Sequence, residues 1–407
     1  MMRHLRTPRD RHANSAQLGF VPRLEDLEAR EVPANFTVGD GKGADFTSIQ
    51  AAVNAAALTK GPDSIRVLPG EYREQVTIAG SKLDGLTLVS TRPERATILA
   101  PLSLSPHDAG SYAAVVRISG ANNVTLDGFT IAGPSANLEV GVLVENDASV
   151  TVRDNKITNI RPQLDLGGAQ IGIGLLIQGA SRASISDNTI EKYQKGGIVA
   201  FDKGTFVAVS DNTITGSDKT AVIAQNGIQV SYGASAAIFD NTITKNSYSV
   251  PDTATNVTDA AGIILGGPGD STTPGVDVGA GRVVVYDNDL DRNEVGILVE
   301  NQSKPVFLID NDIDDSDKDG IALYGVVGAH VIDNEVTGSG EDGLRVAKQS
   351  TAASPNNVQT KGNFIYDNVF VGSLSFDIFD DTVGSGTGGT ANHYGHNRFN
   401  SSNPSVK

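Results

Sequence analysis

The feature that most constrains this chain is a recurring motif of Asp-Asn, one variable residue and an aliphatic or aromatic residue. Successive copies are 33, 24, 29, 47, 23, 23 and 34 residues apart, so the longer steps equal one unit of 23 to 24 residues plus an insertion. A fixed period with insertions of loop length indicates a solenoid, in which each repeat packs on its neighbours. The eight copies begin at Asp154, Asp187, Asp211, Asp240, Asp287, Asp310, Asp333 and Asp367.

A second element accompanies the motif, a glycine followed by an apolar run. Alternation within these runs predicts short strands with aliphatic side chains inward and polar ones outward. We expect the asparagine of each motif to adopt the left-handed backbone conformation of a tight turn, and stacked asparagines to bond one another along the axis. The glycines that open the runs are Gly141, Gly197, Gly227, Gly262, Gly296, Gly320 and Gly343.

These repeats predict an all-β fold, a single-stranded right-handed parallel β-helix, and they resemble those of pectin-lyase-like proteins. We place it at residues 35–400, between a leader at residues 1–34 and a tail at residues 401–407. About ten coils, spaced by roughly 4.8 Å, would form a rod on the order of 50 Å long. A leucine-rich solenoid is excluded because the Leu-x-x-Leu-x-Leu pattern is missing, and the unit is too short for a propeller blade.

Both open ends of such a rod need covers. At the N-terminal end, Thr47 and Gln50 fit a capping box and predict a short α-helix over residues 48–58. Its apolar face would plug the first coil with Ile49, Ala52, Val53 and Ala56. At the other end, we expect the segment 392–399 to close the last coil.

The composition limits the partners and the location of the chain. A net charge of −16 argues against nucleic acid and anionic membranes as partners. No run of 18 apolar residues predicts a transmembrane helix, and no apolar region follows the arginines of residues 1–23 as in an ordinary signal peptide. Residues 24–34 resemble a Leu-Glu-x-Arg element found near the N-terminus of surface or exported bacterial proteins. This resemblance implies an extracytoplasmic protein; the alternative is a leader without a targeting role.

Residues 36–78 resemble the opening segment of pectin methylesterases. The match includes Asp40-Gly41-Lys42-Gly43 and ends in Gly70-Glu71-Tyr72-Arg73-Glu74, which fits the Gly-x-Tyr-x-Glu signature of that family. The resemblance implies the same fold. It does not carry over the esterase site, because Val140-Gly141-Val142-Leu143 and Gly197-Ile198-Val199-Ala200 stand where the catalytic strands are expected. Asp202 is displaced from the nucleophile position, and the chain has no Trp.

An acidic segment is the main candidate site for a metal. Asp315-Ser316-Asp317-Lys318-Asp319-Gly320 fits the first half of a calcium-binding loop, so Asp315, Asp317 and Asp319 are predicted Ca²⁺ ligands. The twelfth position holds Val326 instead of glutamate, and the alternative is a solvated acidic turn. A 23-residue register would also stack further carboxylates on one outer face: Asp289, Asp312 and Glu335, with Asp291 beside Asp314.

Other candidate residues have weaker signals. A lyase or epimerase needs a base and a group that neutralises the sugar carboxylate, for which Arg345 and Lys348 are candidates. Pro106-His107-Asp108 is similar to the Asp-Pro-His motif of alginate epimerases, but it occurs without the neighbouring family residues. His393 and His396 form a weak metal pair, and four tyrosines are candidates for stacking on sugars: Tyr193, Tyr232, Tyr248 and Tyr324.

We therefore predict an exported β-helix protein that contacts or processes an acidic polysaccharide. The expected partner is a polysaccharide or a cell-surface component, and no catalytic residues are assigned. A non-enzymatic surface or matrix protein is the alternative, and a pectinesterase-like enzyme with a displaced site is a third. The sequence does not determine the oligomeric state.

Overall fold

The computed structural model describes residues 33–106, 111–164, 167–249, 259–267, 278–347, 359–403 and 406. Most of the predicted leader lies outside these residues. The described chain winds through three long sheets, and every strand pair is parallel. The structure thus confirms the predicted β-helix. Among the described residues, no helix is long and apolar enough to span a membrane.

Sheet A has 13 strands, which lie next to one another in chain order. They are Asn35–Val38, Ser64–Val67, Thr87–Ser90, Val124–Asp127, Ser149–Arg153, Arg182–Ser186, Phe206–Ser210, Ser235–Phe239, Val283–Tyr286, Val306–Ile309, His330–Ile332, Phe364–Tyr366 and His393–Gly395.

Sheet B has 11 strands and carries the residues that follow each Asp-Asn pair. They are Gly70–Arg73, Ala96–Leu99, Phe129–Ala132, Lys156–Thr158, Thr189–Glu191, Thr213–Thr220, Thr242–Tyr248, Asp289–Asp291, Asp312–Asp314, Glu335–Thr337 and Val369–Val371.

Sheet C has 12 strands and carries the glycine-initiated apolar runs. They are Val76–Ala79, Ala114–Ser119, Val140–Glu145, Ile173–Ile177, Gly196–Ala200, Asn226–Val230, Ala261–Leu265, Val295–Gln302, Ile321–Val326, Leu344–Ala347, Ile378–Asp380 and Ser402–Asn403. The last strand falls in the segment that the sequence analysis assigns to the tail.

The core consists of aliphatic columns, because equivalent residues of successive coils lie over one another. In sheet B, Ile157 pairs with Ile190, Ile190 with Ile214, and Ile214 with Ile243. All four are fully buried. Burying side chains of this size stabilises the fold by roughly 1.5–3 kcal/mol each, so one shared register supplies the core of the whole rod.

The asparagines of the repeated motif form a continuous ladder inside the rod. Each side-chain amide donates to the side-chain oxygen of the asparagine one coil further on, at 2.9 to 3.1 Å. The same amide nitrogen also lies within hydrogen-bond distance of backbone carbonyls, such as those of Leu126 and Arg153 for Asn155. The predicted ladder is confirmed, and it has nine members: Asn155, Asn188, Asn212, Asn241, Asn288, Asn311, Asn334, Asn368 and Asn397.

The prediction that these asparagines adopt the left-handed conformation is wrong. The preceding aspartate takes the positive φ at every turn, between 54° and 60°. Asn and Asp both tolerate this region, but only the second residue of the pair points its side chain into the rod. Both residues recur because the aspartate forms the turn and the asparagine forms the internal ladder. The aspartates are Asp154, Asp187, Asp211, Asp240, Asp287, Asp310, Asp333 and Asp367.

The recurring glycine of sheet C is required by close backbone approach. A Cβ atom on Gly197 would lie 2.6 Å from the carbonyl oxygen of Gly227, and one on Gly227 would lie 2.5 Å from that of Gly262. Such distances are well inside van der Waals contact. Because the backbones of neighbouring coils lie this close together at the glycine, a larger side chain would force the coils apart.

The N-terminal end is closed by the predicted helix, which spans Ile49–Ala56. Its N-cap is Ser48 and not Thr47, because Ser48 has the extended backbone and accepts from the N–H of Ala51 at 3.2 Å. Glu74 adds a second cap: its carboxylate accepts from the Ser48 hydroxyl and the N–H groups of Ile49 and Gln50 at 2.8 to 2.9 Å. The apolar face is buried as expected.

The C-terminal end is closed by residues 392–399, also as predicted. His393–Gly395 pairs with Phe364–Tyr366 as the last strand of sheet A. Asn392 extends a short second ladder, since its side-chain oxygen accepts from the backbone and side-chain nitrogens of Asn363 at 3.2 and 2.8 Å.

Candidate acid–base site on sheet C

The outer face of sheet C carries a group of interacting charged side chains in the C-terminal half of the described chain. Asp319 lies two residues before the strand Ile321–Val326, and Tyr324 lies within it. Arg345 is on the next strand, where it pairs with Ala322. We call Asp319, Tyr324 and Arg345 the acid–base cluster. All three side chains lie outside the aliphatic core of the rod.

The contacts within the cluster join a phenol, a carboxylate and a guanidinium. The Tyr324 hydroxyl donates to Oδ2 of Asp319 at 3.3 Å. A guanidinium nitrogen of Arg345 lies 4.0 Å from Oδ1 of the same carboxylate. That oxygen also accepts from the backbone N–H of Asp342 at 3.1 Å. Asp319 therefore has both oxygens engaged, although only 3% of its surface is exposed.

Burial dominates the protonation of this carboxyl. It raises the pKa of Asp319 to about 7, and the nearby Arg345 and the hydrogen bond from Asp342 oppose the rise. Burial also raises the pKa of Tyr324, and the negative charge of Asp319 adds to the effect. At neutral pH, Asp319 is therefore divided between its two protonation states, as a general acid or base should be.

A second carboxyl with a shifted pKa lies on the neighbouring strand. Glu300 pairs with Tyr324 in the register of sheet C. Burial raises the pKa of Glu300 to about 7, and the charge of Asp259 contributes further. The outer face of sheet C thus holds two carboxyl groups that exchange protons near neutral pH.

Arg345 is held firmly in place. It donates to Oδ2 of Asp342 at 2.8 Å and lies 3.6 Å from a carboxylate oxygen of Glu341. Its guanidinium carbon is 5.0 Å above the ring of Phe379, which gives a cation–π contact. Arg345 is thus fixed among three carboxyl groups, with about one-third of its side chain exposed.

A second cation borders the cluster. The Nζ of Lys318 lies 2.5 Å from Asp259 and 3.0 Å from Glu294. Glu294 also accepts from the backbone N–H groups of Tyr248 and Ala260 at 2.9 Å. These contacts fix the segments that flank the strand Ala261–Leu265. Lys318 is therefore a structural cation of this face.

The three predicted calcium ligands have separate partners. Asp319 belongs to the acid–base cluster, whereas Asp317 contacts Lys219 at 3.0 Å and accepts from the Ser247 hydroxyl at 2.8 Å. Asp315 takes a positive φ of 48° at a turn. Within the described ranges, no three His, Asp or Glu side chains gather as metal ligands would. Calcium binding stays a prediction, and a melting temperature that rises when calcium is added would support it.

The predicted acidic stack on the outer face of sheet B is confirmed. Asp289 pairs with Asp312, Asp312 with Glu335, and Asp291 with Asp314. Partial burial, followed by the neighbouring carboxylates, raises the pKa of both Asp289 and Asp312. Asp289 and Asp312 are both exposed to solvent on this face.

The predicted sugar-stacking tyrosines are dispersed. Tyr193 is buried, with its hydroxyl 2.5 Å from the Asn246 side-chain oxygen, so this prediction is wrong for Tyr193. Tyr232 packs edge-on against Phe201. Tyr248 lies in sheet B and is separate from Tyr324 of the cluster.

The remaining weak candidates do not assemble into a site. His393 stacks on Phe364 at 5.2 Å, whereas His396 lies 3.4 Å from Asp367, so the two histidines have different partners. Pro106 lines a groove near the N-terminal end. His107, Asp108 and Lys348 lie outside the described residues.

The motif that resembles pectin methylesterases has structural contacts here. Glu74 caps the helix Ile49–Ala56, and the Tyr72 hydroxyl donates to the carbonyl of Leu68 at 2.8 Å. Asp202, beyond its expected position, accepts from the backbone N–H of Gly179 at 3.0 Å. In this chain, residues of the pectin methylesterase-like signature therefore help to close the first coil.

Sequence reasoning missed Glu300 and the pairing of Asp319 with Tyr324. The sequence contains one signal of this site. Early strands of sheet C carry outward aliphatic residues such as Val140 and Leu143. Later coils carry Asp319 and Arg345 at the same register positions. A break in an apolar column of a repeat is the pattern that reveals such a site.

Comparison with known families identifies the repeat. The family described as right handed beta helix region matches residues 107–273, 174–365 and 295–403, which together extend over residues 107–403. No curated protein matches the sequence significantly.

Several solved structures share the fold at low sequence identity. The Dettilon tailspike protein has a TM-score of 0.59 at 17% identity, with 86% of this chain and 62% of that chain covered. The catalytic unit of the α-1,3-glucanase of Streptomyces thermodiastaticus has a TM-score of 0.54 at 16% identity, with 90% of this chain and 69% of that chain covered. The periplasmic alginate epimerase AlgG has a TM-score of 0.52 at 13% identity, with 83% of this chain and 77% of that chain covered. The chain thus spans less than two thirds of the tailspike, and these likenesses show the fold alone.

Proposed function

Because this chain belongs to the right-handed β-helix family, we propose that it binds a polysaccharide along the outer face of sheet C and processes it at the acid–base cluster. The observation that carries the proposal is the contact of Asp319 with Tyr324 and Arg345 outside the core. Structurally similar proteins include an α-1,3-glucanase and an alginate epimerase, which supports a glycan as substrate. An extracytoplasmic location is part of the proposal.

The cluster supplies the groups that acid–base chemistry on a sugar needs. In this proposal Asp319 transfers the proton, because its pKa of about 7 leaves both protonation states populated at neutral pH. Tyr324 relays or stabilises that proton through its hydroxyl. Arg345 neutralises charge that develops on the substrate.

An acidic polysaccharide fits the same site under one condition. Arg345 is surrounded by the carboxyl groups of Asp319, Glu341 and Asp342, which repel a uronate when they are ionised. Protonation of Asp319 and Glu300 removes part of that repulsion. Binding of an acidic polymer should therefore strengthen as the pH falls through about 7.

A non-enzymatic surface protein is the second candidate, and one observation favours it. The middle of the outer face of sheet C carries the buried apolar residues Leu143, Leu176 and Val199. A continuous polar groove for a long glycan is not formed there. In this alternative the rod binds a surface glycan, or serves as a spacer, without turnover.

The test is incubation of the full chain with uronate polymers and neutral glucans at pH 6 to 8. Absorbance of an unsaturated product reports elimination, reducing ends report hydrolysis, proton NMR of the polymer reports epimerisation, and methanol reports ester cleavage. We expect one of these signals and at least a 100-fold loss in Asp319→Asn.

The matched control is Asp312→Asn, which removes an exposed carboxylate from the outer face of sheet B. It should retain full activity. Equal activity of Asp319→Asn and the unmodified chain would overturn the assigned cluster. Binding of a polymer without any turnover would favour the surface-protein alternative.

A further inference from the structure

A groove at the N-terminal end of the rod lies far from the acid–base cluster. It has a volume of about 450 Å³ and is formed between the helix Ile49–Ala56 and the first strand of sheet C, Val76–Ala79. The strand of Tyr324 is eight steps further along sheet C, which corresponds to about 38 Å. The groove is therefore a separate site.

The lining of this groove is uncharged and amphipathic. Its apolar lining residues include Val53 and Leu83, and its polar ones are Gln50, Asn54, Gln75 and Thr77. None of the residues that line this groove is charged, although the chain has a net charge of −16. Ligand sites have this composition, an apolar surface with a few fixed polar groups, and volumes of 300 Å³ or more.

The polar groups are held in place by the backbone. The Gln50 side chain donates to the carbonyl of Thr77 at 3.2 Å and accepts from its N–H at 2.6 Å. The Gln75 side chain donates to the carbonyl of Ala114 at 3.0 Å and accepts from the N–H of Ser105 at 3.3 Å. Each amide oxygen retains a lone pair for a ligand hydroxyl.

The groove continues into a second one along the rod. A cavity of about 200 Å³ shares Gln75 and Thr77 with it and extends to Tyr112 and Arg117. Arg117 is more than nine-tenths buried and is paired with Glu145 at 2.5 Å. Since a carboxylate already compensates this guanidinium, the second cavity adds length and a phenol without a net charge.

We infer that this N-terminal groove binds a neutral saccharide of two or three rings. A sugar ring presents apolar C–H faces and a rim of hydroxyl groups, which matches an apolar floor with fixed amide oxygens. An acidic sugar would bring a carboxylate to a lining that has no compensating cation in its larger part. The groove would thus hold a neutral segment of a glycan, independently of any chemistry at Asp319.

Saturation-transfer NMR and calorimetry of the full chain with neutral gluco-, manno- and xylo-oligosaccharides test this inference. Thr77→Arg places a long charged side chain in the groove and should weaken binding at least 10-fold. Thr125→Arg, an outward-facing change on sheet A, is the matched control and should leave it unchanged. Circular dichroism and melting curves of both variants verify folding.

Three outcomes would overturn the inference: no neutral oligosaccharide binds, Thr77→Arg binds as well as the unmodified chain, or uronate oligomers bind more tightly than neutral ones. Asp319→Asn should retain the binding in full. The experiments can therefore contradict the groove proposal without contradicting the acid–base proposal, and the reverse.

Discussion

The side-chain amide of Asn288 donates to the side-chain oxygen of Asn311, one coil further along the axis, at 2.9 Å. Asn311 repeats the same bond to Asn334 and donates to the carbonyls of Val285 and Ile309. Every amide of the ladder is thus both donor and acceptor inside the rod. Such fully bonded polar columns fix the register, since a shift by one residue would leave the buried amides without partners.

Replacing Asn311 with alanine should destabilise the rod strongly. The change leaves several buried groups of neighbouring coils without partners, each costing about 1–3 kcal/mol. We expect the free energy of unfolding to fall by about 4 kcal/mol in urea denaturation followed by circular dichroism. Asn137→Ala, at an exposed asparagine, is the control. An equal, small effect of both changes would show that the ladder is dispensable.

The aspartate before each asparagine should tolerate glycine but not a β-branched residue. Asp333 has a φ of 54°, a conformation that costs other residues about 1–2 kcal/mol. Asp333→Gly should therefore leave the melting temperature nearly unchanged, whereas Asp333→Val should lower it. Asp312→Val on the exposed face of a strand serves as the control. A normal melt of Asp333→Val would contradict the assigned role of the aspartate.

A second internal column offers a stabilising change. Asn246 bonds to Asn293 at 3.0 Å, but the column then continues as Ser316, whose buried hydroxyl has no partner among the described residues. The side chains of Asn293 and Ser316 lie against Gly262 and Gly296 respectively, so an amide has similar room at both positions.

We expect Ser316→Asn to accept hydrogen bonds from Asn293 and to raise the free energy of unfolding by about 1 kcal/mol. Ser316→Ala is the control and should be nearly neutral, because the hydroxyl it removes has no partner. A destabilised Ser316→Asn variant would mean that the column cannot be extended.

Much of this architecture is predictable from the sequence, because the repeat period alone determines which residues stack. The stack of Asp289, Asp312 and Glu335 follows from their 23-residue spacing. The acid–base cluster is different, because its members come from different positions of a coil. Tyr324 reaches Asp319 only through the direction of its side chain, which periodicity does not determine. The contact of Tyr193 with Asn246, two coils further along the rod, was likewise not predictable, because it depends on the direction of the tyrosine side chain.

The raised pKa of Asp319 makes the stability depend on pH. An acid whose folded-state pKa lies above its unfolded value binds more protons when folded, so the folded state loses stability as pH rises from about 4 to 7. Asp319→Asn mimics the protonated form and should remove this decline. At pH 8 we expect it to stabilise the protein by up to about 4 kcal/mol.

Urea denaturation at pH 5 and pH 8 measures the effect. Asn137→Ala, at an exposed and non-titrating residue, is the control, because the pKa of Asp312 is itself raised. A variant at Asp319 that is destabilised equally at both pH values would show that the carboxyl is ionised throughout.

The most direct test of the site is a carboxyl carbon-13 NMR titration of Asp319, identified by the signal that Asp319→Asn removes. The arrangement of Asp319, Tyr324 and Arg345 predicts a midpoint of about 7. A midpoint near 3.9, the ordinary value for aspartate, would contradict the account, because the account requires both protonation states of Asp319 to be populated at neutral pH.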